Sequence, residues 1–316
     1  MTTYKEIHGT KVEVRDDDPA NPVNGQVWYN SQTLKGFKLN PTGAFSTGGN
    51  MNTSRRRMPG VGTQTAALVI SGTADPPVYA QVESYNGTAF SEVGDVNTSR
   101  EEHAAGGTQA SAIVFGDKPN NANTELWNGS SWSEVNNLNN ARYELTGDGD
   151  SSTAVIAFGG VPQKAVTETW NGTSWTEVGD LNTGRGNPHG AGTTTSALGS
   201  GGYTTTYVAV NESYNGTSWT EVADLNTARG YATQTTGSNN TSAIVIGGTS
   251  PDTANVEIWN GTSWTETTNV PAVRVNAAGA GTTTSAFITG GRNPSLTNSS
   301  LEWNQPIETT VSFTVS

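Results

Sequence analysis

The sequence contains no cysteine, few charged residues and no long apolar run. The lack of cysteine excludes structural disulfides and thiolate metal sites, and it leaves the redox compartment open. Only 14% of the residues are charged and the net charge is −12, which excludes the basic patch that a nucleic-acid-binding protein needs to neutralise phosphates. The sequence has no run of about 18 apolar residues, the length that could span a bilayer. Its N-terminus lacks the apolar core of a signal peptide. We therefore expect no nucleic-acid partner, no membrane insertion and no secretion by the usual signal.

Glycine, threonine, serine and asparagine are abundant, and amphipathic helical segments are scarce, which is typical of short strands joined by tight turns. One stretch, Asn-Gly between aromatic and polar residues, occurs five times, at residues 83–90, 125–132, 168–175, 212–219 and 257–266. Asn-Gly between strand residues predicts a β-hairpin with a type I′ turn, in which both central residues have positive φ. Each copy is therefore expected to form one antiparallel hairpin with aromatic residues beside its turn.

A recurring arginine sets the register of a longer repeat. It stands at Arg55, Arg100, Arg142, Arg185, Arg229 and Arg274, in steps of 45, 42, 43, 44 and 45 residues. Each period contains a Gly/Ala-rich strand, an apolar strand and the aromatic hairpin, which makes four strands. Four-stranded units of this length, repeated radially, predict an all-β fold, a six-bladed β-propeller with the small residues innermost and the tryptophans between the blades.

The sixth copy lacks its fourth strand, because Gln305-Pro306 stands where the others have Gly-Thr-Ser-Trp. Residues 44–55 align without a gap on residues 89–100, which contain a fourth strand. We therefore predict that residues 44–51 supply the outer strand of the last blade, so that an N-terminal strand closes the ring. The predicted organisation is a leader or adaptor segment (1–43), a propeller (44–304) and a tail strand (305–316) that adds to an edge or to a partner.

The leader contains two candidate strands, at residues 25–30 and 34–39, which predict a short hairpin. Two strands alone are marginally stable, so we expect the leader to lean on the main domain or on another protein, with Trp28, Tyr29 and Phe37 as assembly-docking residues. The aspartates at positions 16–18 resemble a calcium loop only in part, because the Gly and Glu of such a loop do not follow. A solvated turn is the simpler interpretation.

The repeat resembles the Kelch motif over residues 44–304. The resemblance rests on a glycine pair after the second strand, an aromatic residue in the third, a tryptophan opening the fourth and the arginine. The pairs are Gly159-Gly160, Gly201-Gly202, Gly247-Gly248 and Gly290-Gly291, and residues 71–72 and 116–117 depart from the pattern. The similar blades and the leader at residues 24–30 look like Kelch-like proteins of tailed, notably marine, bacteriophages. This resemblance implies a virion protein of the tail or surface fibre. An intracellular Kelch adaptor would need a companion domain larger than the leader.

Residues present in every blade are interpreted as architectural, because an active site needs an asymmetric set of groups. The arginines are expected to pair with Glu83, Glu125, Glu168, Glu212 and Glu257. The turns at Asn86, Asn128, Asn171, Asn215 and Asn260 match the N-glycosylation pattern, but the turn requirement explains them equally well. His8, His103 and His189 occur singly, so neither a metal site nor a cofactor is predicted. Asp148-Gly149-Asp150 is expected in a polar turn, with cation binding as the alternative.

The connection between the second and third strands varies most between blades, and exposed loops on a rigid scaffold commonly carry binding residues. The candidate ligand-binding residues there are Tyr79, Lys118, Lys164, Tyr203, Tyr207 and Arg292. We expect a non-enzymatic module in an oligomeric assembly. It would contact other virion or tail proteins through its N-terminal segment and a host-surface protein or glycan through this face. The alternatives are loop drift without function, and a glycan-active enzyme using acids near the axis, such as Asp117, Asp148, Asp150 and Asp252.

Overall fold

The structure, a computed structural model, describes residues 13–15, 27–30, 33–38, 43–235, 239–249, 251–305 and 309–313. These residues form strands and loops, and no helix long and apolar enough to cross a membrane is found among them. In chain order the strands are β1 (Glu13–Arg15), β2 (Val27–Asn30), β3 (Thr33–Lys38), β4 (Ala44–Gly48), β5 (Gly60–Thr63), β6 (Ala66–Ile70), β7 (Val82–Tyr85), β8 (Phe90–Glu92), β9 (Ala104–Thr108), β10 (Ser111–Asp117), β11 (Asn121–Trp127), β12 (Trp132–Val135), β13 (Thr146–Ser151), β14 (Ala154–Phe158), β15 (Thr167–Trp170), β16 (Trp175–Glu177), β17 (His189–Thr193), β18 (Ser196–Ser200), β19 (Asn211–Tyr214), β20 (Trp219–Val222), β21 (Thr233–Gln234), β22 (Ala243–Ile246), β23 (Val256–Trp259), β24 (Trp264–Glu266), β25 (Ala278–Gly281), β26 (Ser285–Thr289), β27 (Arg292–Asn293), β28 (Ser295–Leu296), β29 (Ser300–Asn304) and β30 (Thr309–Phe313).

The chain divides into two compact units, Met1–Gly43 together with Gln305–Ser316, and Ala44–Asn304. The described residues of the first unit form a sheet of order β1-β2-β3-β30. Its β2 and β3 form the hairpin expected of the leader, and β30, from the tail, pairs antiparallel with β3. Trp28 is fully buried. The side chains of Tyr29 and Phe37, and the aspartates at 16–18, lie outside the described residues.

The second unit is the predicted six-bladed propeller. Blades 1 to 5 are four-stranded antiparallel sheets of consecutive strands, β5–β8, β9–β12, β13–β16, β17–β20 and β21–β24. The first strands of neighbouring blades touch in a closed cycle, from β5 through β9, β13, β17 and β21 to β25 and back to β5. Their small residues permit this approach, since a Cβ added at Gly60 would lie 2.7 Å from the carbonyl oxygen of Gly279.

The sixth blade confirms the predicted ring closure. It has the order β25-β26-β29-β4, so its outer strand comes from the start of the propeller. Phe45 of β4 pairs with Trp303 of β29, with their ring centroids 5.0 Å apart. Ala44 also pairs with Asn304, so the two chain ends of the propeller lie side by side.

The hydrophobic core lies between blades, as the tryptophan positions predict. Phe115 of blade 2 packs edge-on against Trp175 of blade 3, with centroids 4.7 Å apart, and Phe158 of blade 3 contacts Trp219 of blade 4 at the same distance. An aromatic side chain from each outer region therefore fills the gap beside the preceding blade, where burial of a Trp removes roughly 150–250 Å² from water.

The Asn-Gly hairpins form as predicted, with Trp127 opposite Trp132, but the prediction of a type I′ turn is wrong. Only the glycine has positive φ, +95° at Gly129, and the asparagine does not. Four residues separate the paired aromatics, and Asn128 Oδ1 accepts hydrogen bonds from the amides of Ser130 and Ser131. The asparagine side chain thus caps a wider loop, which removes the need for a second positive φ.

Candidate binding site at the mouth of the axial channel

The expected repeated ion pair is present in five blades. Arg142 Nη1 lies 2.5 Å from Glu168 Oε1, and both side chains are completely buried. The other pairs are Arg55–Glu83, Arg100–Glu125, Arg185–Glu212 and Arg229–Glu257. Each carboxylate also accepts two hydrogen bonds from an asparagine three residues before the arginine. Glu168, for example, accepts one from the backbone amide of Asn139 at 2.8 Å and one from its side-chain nitrogen at 3.0 Å. These groups join the entry of each blade to its third strand.

Blade 6 lacks this arrangement. Its register places Leu301 where the other blades have glutamate, and Pro271 stands where they have asparagine. Arg274 remains, 4% exposed, and donates to the carbonyl of Gly290 and to Ser299 Oγ. The proline removes an amide that would otherwise lack its carboxylate acceptor, so the two replacements are mutually consistent.

Two residues after each arginine, the chain lines the mouth of a cavity of about 110 Å³ on the propeller axis. The six residues are Arg57, Glu102, Glu144, Asn187, Tyr231 and Asn276. All six have positive φ, between 49° and 58°. Five of their amides donate to the carbonyl of the preceding ring residue at 2.6–3.1 Å, and the amide of Tyr231 donates to Asn187 Oδ1 at 2.8 Å. We call this closed cycle of hydrogen bonds the mouth ring.

The mouth ring lies beside the variable connections between second and third strands. In blades 1, 3, 4, 5 and 6, the residue just before the ring residue forms an isolated β-bridge with such a loop, as Gly186 does with Tyr203. In blade 2 the amide of Glu101 donates to Asp117 Oδ1. Sequence reasoning placed the variable residues in the loops and missed the ring, although the signal was present: four residue types occupy one repeat position.

Charged side chains of the ring form a network across blades 1 to 3. Arg57 Nη1 lies 3.0 Å from a carboxylate oxygen of Glu101 and of Glu102. Burial lowers the pKa of Arg57, but these carboxylates outweigh it and the net shift is upward. Burial raises the pKa of Glu102, Arg57 opposes that shift and Glu144 adds to it. Glu102 and Glu144 thus share one electrostatic environment at the mouth.

Tyrosines continue the site toward blade 5. The Tyr231 hydroxyl donates to Glu144 Oε1 at 2.7 Å, reaching past blade 4. Burial, and then this hydrogen bond, raise the pKa of Tyr231. The Tyr207 ring lies 6.3 Å from that of Tyr231 and 5.4 Å from that of Tyr203, centroid to centroid. We call Tyr203, Tyr207 and Tyr231 the tyrosine row.

The six predicted binding residues divide by their distance from the mouth. Lys118 Nζ lies 3.7 Å from Glu102 Oε2, and Tyr203 and Tyr207 belong to the tyrosine row. Arg292 pairs with Asp252 at 3.2 Å on the outer loops. Lys164 donates to Asn140 Oδ1 and to the carbonyl of Ala141 within its own region. Tyr79 is half-buried, and its backbone bonds to Gly72 and Ser71.

The structure does not bring the four candidate catalytic aspartates, Asp117, Asp148, Asp150 and Asp252, together in one site. Asp148 lies in inner strand β13 rather than in a turn and is 1% exposed. It accepts from the amides of Gly149 and Gly192, both at 2.7 Å, and so joins blades 3 and 4. Its burial raises its pKa well above the usual range. Burial also raises the pKa of Asp117, to about 6, while Asp150 and Asp252 are exposed.

Both propeller histidines are buried, at 6% exposure for His103 and 4% for His189. Burial lowers the pKa of His103 well below its usual range and that of His189 to about 3. Within the described ranges, no three His, Asp or Glu side chains lie close enough together to hold a metal ion.

A scan against protein-family models and a search of curated proteins both return no match for this chain. The geometry of the mouth therefore carries the functional argument.

Proposed function

We propose that the chain is a non-enzymatic binding module, a Kelch-like propeller on a bacteriophage particle, and that it holds a host-surface protein or glycan at the mouth ring. The observation that carries the binding role is the backbone of that ring. Positive φ suits glycine and asparagine, and it costs other residues roughly 1–2 kcal/mol each. Arg57, Glu102, Glu144 and Tyr231 nevertheless occupy such positions, so their side chains are kept at a cost to stability. Strained positions of this kind cluster at functional sites.

The scaffold suits binding because the ring is held rigidly. Five backbone hydrogen bonds and the bond from the Tyr231 amide to Asn187 Oδ1 close the cycle. Buried ion pairs anchor the blade entries directly before it, as at Arg142 and Glu168. A preorganised site loses little conformational entropy when a ligand binds. The cavity combines a few polar groups with apolar walls such as Met58, Leu145 and Pro188, which is typical of ligand sites.

The particle setting rests on the resemblance to phage Kelch-like proteins, and the chain ends are compatible with it. The two ends of the propeller, Ala44 and Asn304, are paired with each other, and the chain on either side of them belongs to the other compact unit. We propose that this unit docks onto other virion or tail proteins in an oligomeric assembly. Because Trp28 is buried, docking through the aromatic residues would depend on Tyr29 and Phe37.

The proposed function is tested by adhesion. Fluorescently labelled chain is incubated with a panel of bacterial cells that includes marine strains, and bound fluorescence is compared with that of a Glu144→Gln/Tyr231→Phe variant. A Glu177→Gln variant is the control, because Glu177 is exposed on outer strand β16 of the same blade as Glu144. We expect a subset of strains to retain the wild type and the control but not the double variant. Equal adhesion of all three proteins, or none to any strain, would refute binding at the mouth.

The particle location needs a separate measurement. An antibody against the chain should label purified phage particles that are made from a genome encoding it, and mass spectrometry of those particles should detect the chain. Its absence from purified particles would contradict the virion assignment and leave the binding role to be judged by adhesion.

A glycan-active enzyme is the second candidate, and one observation favours it. Glu102 has a raised pKa and shares its environment with Glu144, which is the pattern of a general acid beside a second carboxylate. Turnover of bacterial surface polysaccharide that disappears in both Glu102→Gln and Glu144→Gln variants would establish it. Against it, Glu102 is already ion-paired with Arg57, and the raised pKa of Tyr231 opposes its use as a nucleophile.

A further inference from the structure

One charged residue of the mouth ring has no ion-pair partner. Arg56, Arg57 and Lys118 form ion pairs with Asp75, Glu101 and Glu102, three cations with three carboxylates. Glu144 forms no ion pair with any residue in the described part of the chain, and Tyr231 is its hydrogen-bonding side-chain partner. Within the mouth ring, Glu144 is therefore the carboxylate that no cation of the described residues pairs with.

A second carboxylate at the mouth has an oxygen that lacks a donor. Glu102 is 8% exposed and lines the cavity, yet its Oε2 accepts no hydrogen bond from the described residues. The two donors that contact these carboxylates already have partners, Arg57 Nη1 with three carboxylates and the Tyr231 hydroxyl with Glu144. A complementary ligand must supply hydrogens and positive charge, and a primary ammonium group offers three donors and no acceptor.

The tyrosine row extends from Glu144 toward the outer face. Tyr203, at the outer end of the row, is 37% exposed, and Tyr207 and Tyr231 are half-buried. A cation near an aromatic face gains about 0.5–1 kcal/mol or more. A lysine buries its methylene stem along apolar surface while its charged end remains polar. The row thus offers a track for the stem that ends at the unpaired carboxylate.

We propose that the mouth receives a lysine side chain of a protein partner, with its ammonium group beside Glu144 and its stem along the tyrosine row. This inference rests on the proposed binding function and names the ligand class. An amino sugar carries the same ammonium group, but it lacks the flexible methylene stem that the tyrosine row would cover. A partner presenting a carboxylate or phosphate would meet the unpaired carboxylate of Glu144.

The test uses small probes with the full chain in isothermal titration calorimetry at low salt. Nα-acetyl-lysine amide presents the ammonium and the stem, Nα,Nε-diacetyl-lysine amide keeps the stem without the charge, and glucosamine supplies the amine on a sugar. Each probe is titrated into wild type, Glu144→Gln, Tyr207→Ala and the Glu177→Gln control. Unchanged melting temperatures identify the variants that are correctly folded.

We expect the charged lysine probe to bind wild type and the control equally. Glu144→Gln should weaken it at least tenfold, which corresponds to about 1.4 kcal/mol, and Tyr207→Ala should weaken it several-fold. The diacetylated probe should bind far more weakly than the charged one. Tighter binding of glucosamine than of the lysine probe, equal binding of both lysine probes, no binding of the charged probe, or no effect of Glu144→Gln would each overturn the inference.

Failure of the inference is distinguishable from failure of the proposed function. If the lysine probe does not bind but the Glu144→Gln/Tyr231→Phe variant still loses adhesion to cells, the ligand class is wrong and the binding site stands. If adhesion survives that double variant, binding at the mouth itself is wrong.

Discussion

Removing the buried arginine of one blade should be far more damaging than removing its counterpart in blade 6. In Arg142→Met, Glu168 keeps its amide donors but loses its cation while remaining 0% exposed. Breaking a buried ion pair by removing one partner costs about 3–5 kcal/mol. For a domain of this size that loss should lower the melting temperature by on the order of 10 °C.

In Arg274→Met the balance is different. Leu301 occupies the position that glutamate has in the other blades. Burial lowers the pKa of Arg274 without an opposing carboxylate, whereas Glu168 opposes that shift at Arg142. The substitution removes hydrogen bonds to Gly290 and Ser299, worth about 1 kcal/mol each, together with the desolvated charge. We expect a net change within about 1 kcal/mol.

The assay is urea unfolding followed by tryptophan fluorescence, supported by thermal melts of wild type and both variants. Adding Glu168→Leu to Arg142→Met should recover part of the loss, because no buried carboxylate remains. Adding Asn139→Pro should recover more, since the triple variant copies the residues of blade 6 at the Glu and Asn positions. If Arg274→Met destabilises as much as Arg142→Met, the electrostatic explanation is refuted.

Two further predictions concern stability. Because burial holds the pKa of His189 near 3, below its unfolded value of about 6.5, the unfolded state binds a proton first, and the stability contributed by the neutral side chain is lost as pH falls below that value. Unfolding free energies of wild type and His189→Gln should therefore converge by about 2 kcal/mol between pH 7 and pH 5, and a constant difference would contradict the buried neutral imidazole. Phe45→Ala removes the half-buried ring that packs against Trp303. It should cost about 2 kcal/mol, less than the ~3–5 kcal/mol of a fully buried Phe, and it should increase proteolysis near residue 44, whereas unchanged unfolding and proteolysis would argue against closure by β4.

Much of the propeller could be predicted because its determinants repeat. The arginine spacing located the blades, and the gapless match of residues 44–55 to 89–100 located the closing strand at Phe45. Local hydrogen bonding was harder to predict. The asparagine of each Asn-Gly loop caps two amides, as Asn128 does, and this competes with the turn type that the dipeptide usually indicates.

The candidate site was only partly predictable. Lys118, Tyr203 and Tyr207 were found because their loops vary, but the mouth ring depends on neighbours that are distant in sequence. The hydrogen bond from Tyr231 to Glu144 joins residues 87 positions apart, and no local pattern encodes it. Asp148 was misplaced in a turn because its acceptor role depends on Gly192 of the next blade.

Hydroxyl-radical footprinting of the chain bound to a recognised bacterial strain tests binding at the mouth most directly, because it locates the ligand without substitutions. We predict that oxidation of Tyr203 and Tyr207 falls when the ligand is bound, while oxidation of Tyr79, which lies on the blade 1 loop, is unchanged. Protection of Tyr79 or of the Asn-Gly loops, with Tyr203 and Tyr207 oxidised as in the free chain, would contradict the account.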